Sequence, residues 1–110
     1  MFHVVEADRW AEHDADDPYA PDSLDEEGFV HAATNETVQW VGQQFYADAD
    51  DPRLLVLDRE ALDAEVRYES GRDGAFPHVY GEIDADAIVD VIQFERDEAG
   101  RYVRPERDSP

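Results

Sequence analysis

The chain has 110 residues, 29 acidic against 9 basic, with no cysteine and 42% hydrophobic residues. That supplies one domain, read over residues 1–105 with 106–110 as a frayed tail, and leaves no length for a second. It excludes a disulfide framework and a thiol nucleophile, and with no apolar run near about 18 residues it excludes a helix that spans a membrane.

Phe2 to Glu6 is a short apolar run and predicts a first strand. Asp8 can cap a short helix over Arg9 to His13. Asp14 to Glu27 is acidic, carries Pro18 and Pro21, and reads as a surface loop. Gly28 to Ala33 is expected as a buried strand, followed by Thr34 or Asn35 as an N-cap with Glu36 in the first turn. Val38, Val41 and Phe45 then form the apolar stripe of the one main helix, ending near Tyr46.

After a turn over Ala47 to Pro52, Arg53 to Asp58 holds the buried strand Leu54-Leu55-Val56-Leu57, and Asp58 can cap a short helical turn through Leu62. Glu65 to Glu69 alternates as a strand, Ser70 to Ala75 reads as a glycine-bearing loop, and His78 to Ile83 is the next strand. Ala85 to Ala87 makes a turn before a strand over Ile88 to Glu95, and Asp97 to Gly100 is a hairpin turn into Arg101 to Val103. Mostly strands with one good helix give an α+β domain.

The formal net charge is −20, spread along the whole chain, and every basic residue is Arg. Such a domain repels itself in dilute buffer, whereas at about 1 M salt the Debye length falls to roughly 3 Å and screens that repulsion. The pattern points to a cytoplasm of high salt. The start, Met1 to Glu6, lacks the basic and long apolar stretches of a secretory signal. No basic patch offers itself to DNA or RNA.

Three of the four histidines, His3, His31 and His78, fall in apolar strands. Each alone is the pattern of a hydrogen-bonded core histidine. Three in separate strands could meet at one cleft and handle a proton or a ligand hydroxyl. No two are spaced as a local metal motif, so no metal site is expected. By strand alternation His78, Tyr80 and Glu82 share one face, with Val79 and Ile83 on the other. The strand from Gly28 that turns into a helix at Thr34 presents free N–H groups suited to phosphate or ribose oxygens.

These residues resemble a family. Tyr19-x-Pro21-x-Ser23-Leu24, Glu27 to Thr34, Val66-Arg67-Tyr68-Glu69 and Phe76-Pro77-His78-Val79-Tyr80-Gly81, with His3 in the first strand, are similar in order and spacing to the domain-of-unknown-function 952 family. That resemblance implies a split β-sheet like that of the ADP-ribosyltransferase superfamily, which includes the RNA 2′-phosphotransferases. It implies catalytic roles for His3, His31, His78 and Tyr80, with Glu82 or Glu69 as the carboxylate, and ligand contacts from Thr34 and Arg67. The activity implied is transfer at a ribose, with NAD or a 2′-phosphorylated nucleotide as substrate and no firm cofactor. The alternatives are a domain that binds a small nucleotide-like ligand without chemistry, and a structural accessory domain. Arg53, Arg67 and Arg72 are the cations that would ease binding of an anionic ligand.

Overall fold

The computed structural model describes residues 1–14, 16–71 and 74–105, for 70, 71, 74 and 75 the backbone only. The expected tail over 106–110 and Arg72 lie outside the described residues. Six strands, β1 (Phe2–Glu6), β2 (Val30–His31), β3 (Pro52–Leu57), β4 (Glu65–Gly71), β5 (Gly74–Tyr80) and β6 (Ile88–Gln93), form two antiparallel three-stranded sheets, ordered β1-β3-β6 and β2-β5-β4. Three helices, α1 (Ala7–Ala11), α2 (Asp22–Glu27) and α3 (Val38–Phe45), complete a mixed α+β fold.

Among the described residues a backbone bridge joins the two sheets. Just past β2, Ala33 exchanges both backbone hydrogen bonds with Phe2 of β1, at 2.7 and 2.8 Å. A cleft lies beside this bridge, between the two sheets.

The first sheet is buried on both faces, which explains the unbroken apolar run of β3. Phe2, Val4, Leu54 and Val56 pack under α3 with Val38, Phe94 and Tyr102. Leu55, Leu57 and Val5 face the other way and pack with Val30, Val79, Ile83 and Tyr19. A Cβ at Gly42 of α3 would stand 2.7 Å from both Phe94 and Tyr102, so only glycine lets the helix lie this close to those rings. The guanidinium of Arg96 lies 4.6 Å from the Tyr102 ring and donates to the carbonyls of Tyr46 and Ala49, pinning the C-terminal hairpin to the helix end.

Several elements differ from the sequence reading. The acidic segment before Glu27 is not all loop. Pro21 stands at the N-cap of α2, Asp22 and Asp25 lie in its first turn, and Gly28, with φ of 85°, ends it. Leu24 is its one apolar residue, too few for a periodic signal. The first short helix starts at Ala7, two residues before the expected Arg9, and lacks a side-chain cap from Asp8. The expected Gly28–Ala33 strand shrinks to Val30–His31: Ala32 N–H still reaches the Pro77 carbonyl on β5 at 3.1 Å, but proline has no N–H to return the bond, and Ala33 pairs with Phe2 of β1 instead. Helix α3 starts at Val38 rather than beside Thr34. Of the loop predicted over 70–75, Ser70 and Gly71 end β4 and pair with Ala75 and Gly74 at the start of β5, and residues 72 and 73 lie outside the described residues. Strand β5 stops at Tyr80, so Glu82 lies beyond it.

Candidate functional site

The outer face of the second sheet carries a grid set by register. His31 on β2 and Arg67 on β4 both pair with His78 on β5, so the three side chains run in one row. Phe76 and Tyr80 flank His78 on the same face by alternation, with Glu69 opposite Phe76 and Glu65 opposite Tyr80. The other face carries Val30 and Val79, fully buried in the core. This alternation of apolar in and functional out fixes the orientation of the site.

Within the row the His31 and His78 rings lie 5.5 Å apart, edge to face. Phe29 stacks flat on His78 at 4.1 Å and covers it, so the imidazole is only 15% exposed. His31 is more open and its Nε2 sits 2.7 Å from a Glu27 carboxylate oxygen. His78 Nδ1 lies 3.2 Å from Glu69 Oε2, close enough for charge attraction but without the alignment of a good hydrogen bond. The Tyr80 hydroxyl donates to the other oxygen, Glu69 Oε1. That bond holds the Glu69 carboxyl below its ordinary pKa, helped by the nearby imidazole, and pushes the Tyr80 phenol up. Arg67 lies 4.9 Å from the Tyr80 ring centroid and is paired with Glu65 at 2.9 Å.

Between the sheet halves opens a cavity of about 360 Å³. Phe2, Val4 and Ala33 form its floor, Trp40, Val41, Phe45 and Tyr46 one wall, and Phe76, His78 and His31 the other. The Trp40 and Phe76 rings are 5.2 Å apart across it. Phe45 is 69% exposed at its mouth. Of the helix stripe expected to include Phe45, Val38 is buried and Val41 half-buried on the core, whereas Phe45 faces outward at the edge of the cleft.

His3 stands apart from this cavity. It is buried, and its Nδ1 lies 2.6 Å from the His31 carbonyl, which can only accept, so Nδ1 carries the proton. Burial pushes its pKa down to about 4, so the ring is neutral at pH 7. His3 lines a second cavity of about 300 Å³, and His31 lines both. The three imidazoles thus form a chain with His31 in the middle rather than converging in one pocket.

The remaining expected residues divide. Glu69 reaches the His78–Tyr80 pair, whereas Glu82, carried past the strand end by Gly81, is exposed and makes no described contact with it. Thr34 turns inward on its own backbone: its hydroxyl meets that of Thr37 at 3.1 Å and accepts from the N–H groups of Glu36 and Thr37, capping the turn before α3. Among the described residues no group of three His, Asp or Glu is placed to hold a metal, and no helix is long and apolar enough to cross a membrane. Sequence reasoning missed Phe29, Trp40, Phe76 and Glu27 as site residues. Only the aromatic density around each histidine block hinted at them.

Residues 4–91 match the family described as Protein of unknown function (DUF952), and the chain belongs to that family. Its fold is similar to the crystal structure of protein CC0527 from Caulobacter crescentus, at a TM-score of 0.77 and 20% identity over 93% of this chain and 91% of that one. The solution NMR structure of CC0527 gives a TM-score of 0.70 at 23% identity, over 91% and 88%. No curated protein matches the chain.

Proposed function

We propose that this DUF952 domain holds a nucleoside-like ligand in the cleft and acts at its ribose, in the manner of an ADP-ribosyltransferase. The observation that carries the reading is the Tyr80–Glu69–His78 series, which opens onto an aromatic cavity through one imidazole. An ionised Glu69 beside Nδ1 favours the tautomer with the proton there and leaves Nε2 of His78 as a hydrogen-bond acceptor or base toward the cavity. A planar base or nicotinamide ring suits the space between Trp40 and Phe76, which places a sugar against His31 and His78.

The substrate class that fits is NAD or a 2′-phosphorylated nucleotide. No arginine lines the cavity, so phosphates would lie outside it, toward Arg67 in the His78 row. In transfer from NAD the C–N bond to nicotinamide breaks with its electrons leaving on the ring as neutral nicotinamide, while an oxygen of water or of an acceptor hydroxyl bonds to the ribose carbon and gives its proton to Nε2 of His78. Positive charge grows on the ribose, and the Glu69 carboxylate behind His78 favours it. The acidity and the absence of lysine support work in a salt-rich cytoplasm.

The test is a thermal-shift and NMR panel in molar salt with NAD, ADP-ribose and a 2′-phosphorylated nucleotide, on the parent and His78→Ala. Binding that His78→Ala abolishes, with nicotinamide released from NAD by the parent alone, supports the reading. Binding without release would leave a ligand-binding domain without chemistry. If His78→Ala unfolds the domain as badly as Val79→Ala, the imidazole is structural and the accessory-domain alternative replaces this one.

A further inference from the structure

We propose that the cleft continues past His31 into a second compartment that takes a protonated amine, with His3 Nε2 as its buried acceptor. The two cavities share His31, Val4 and Tyr46, so they adjoin along the His31 ring, where a ligand arm would pass from one to the other. Their linings are chemically opposite. The first is aromatic and aliphatic, whereas the second is lined by Glu6, Arg9, Asp22, Ser23, Tyr19 and His3.

The second compartment is built to accept. His3 is 6% exposed and its Nδ1 proton is committed to the His31 carbonyl, so the neutral ring offers only the lone pair of Nε2. Among the described hydrogen bonds none reaches Nε2, and the ring lines the second cavity, so that lone pair is open to a donor on a ligand. The lone cation of the lining, Arg9, is taken up by Asp22 at 3.3 Å. Glu6 then tips the charge negative. The Tyr19 ring, 5.6 Å from His3, adds an aromatic face of the kind that attracts ammonium groups. With Arg9 and Asp22 offsetting each other, a phosphate or carboxylate would meet the charge of Glu6 and an imidazole lone pair, both of which repel it.

The inference shares with the ribose reading only the placement of a ring in the first cavity, and a three-probe series separates the two. Phenethylamine, 2-phenylethanol and 3-phenylpropionate carry the same ring and a similar arm, with an ammonium, a hydroxyl and a carboxylate at the end. NMR titration follows the Trp40 indole for the first compartment and the Tyr19 and His3 rings for the second. The amine should bind about tenfold more tightly than the carboxylate, with the alcohol between, and should shift the His3 and Tyr19 signals. Glu6→Gln, at an exposed position, should shrink that preference, and His3→Phe should cut it to about twofold or less. Equal or tighter binding of the carboxylate overturns the inference. So does a series that moves Trp40 alike for all three probes and leaves Tyr19 still, which would keep the first-cavity reading intact. Failure of every probe to move Trp40 overturns both.

Discussion

Replacing His3 by Asn removes a buried imidazole while leaving an amide able to donate to the His31 carbonyl. In the fold the ring titrates at about 4 against 6.5 when solvated, because burial penalises the cation more than the carbonyl bond favours it. A base held below its unfolded value is protonated more readily in the unfolded chain across that window. The stability it contributes is therefore fully present above pH 6.5 and is lost as pH falls toward 4. At about 1.4 kcal/mol for each pH unit the loss is about 3 kcal/mol, a large share of a small domain's stability. Urea unfolding in molar KCl, between about pH 8 and pH 4, would be run on the parent and on His3→Asn. The carboxylates titrate in both proteins, and so does the Met1 amine, which burial lowers to about 6. Those contributions cancel in the difference between the curves. The packing lost with the ring is a constant offset. The difference should shrink by about 3 kcal/mol as pH falls, with most of the change between pH 6.5 and 4. A difference that stays flat would refute the account of His3 as a buried neutral ring. One that grows on acidification would show that the fold holds His3 charged.

Salt should matter as the charge demands: the melting temperature should rise by many degrees from dilute buffer to molar KCl, and a flat response would remove the reading of salt adaptation. Gly42→Ala improves helix propensity by about 1 kcal/mol, but its methyl would drive into Phe94 and Tyr102; we expect a net loss of about 1–2 kcal/mol by chemical denaturation. Tyr80→Phe removes the hydroxyl that holds the Glu69 carboxylate ionised, so the Glu69 pKa should climb toward its ordinary value in a carbon-detected NMR titration. An unmoved titration would mean that the imidazole and Arg67, not the phenol, set that group. Val79→Ala, in the fully buried layer beneath the site, should cost about 2 kcal/mol or more, whereas His78→Ala should cost less.

Local patterns wrote much of this molecule into its sequence. The unbroken run Leu54–Leu57 required a strand buried on both faces, and β3 is the centre of its sheet. Asp58 capped the turn after it, its side chain accepting from Glu60 N–H, because a carboxylate three atoms from the backbone reaches only near neighbours. The same short-range logic placed β1 residue for residue and turned the chain at Gly100. Sequence resemblance pointed to the family, since ordered blocks of residues survive as text. Where pairing crosses from one segment to another, the text alone did not decide. Ser70, Gly71, Gly74 and Ala75, expected in a loop, are strand ends because β4 and β5 hold each other in register, and β2 stops at two residues because Pro77 cannot return the bond from Ala32 and Ala33 turns to Phe2. Alternation put Glu82 beside Tyr80, yet the strand ended at Tyr80 and a carboxylate from β4, Glu69, took the place at its hydroxyl. The distance between His3 and the aromatic cavity, the stacking of Phe29 on His78 and the outward turn of Phe45 are likewise set by how two sheets meet at Phe2 and Ala33, a contact between residues far apart in the chain that no local propensity encodes.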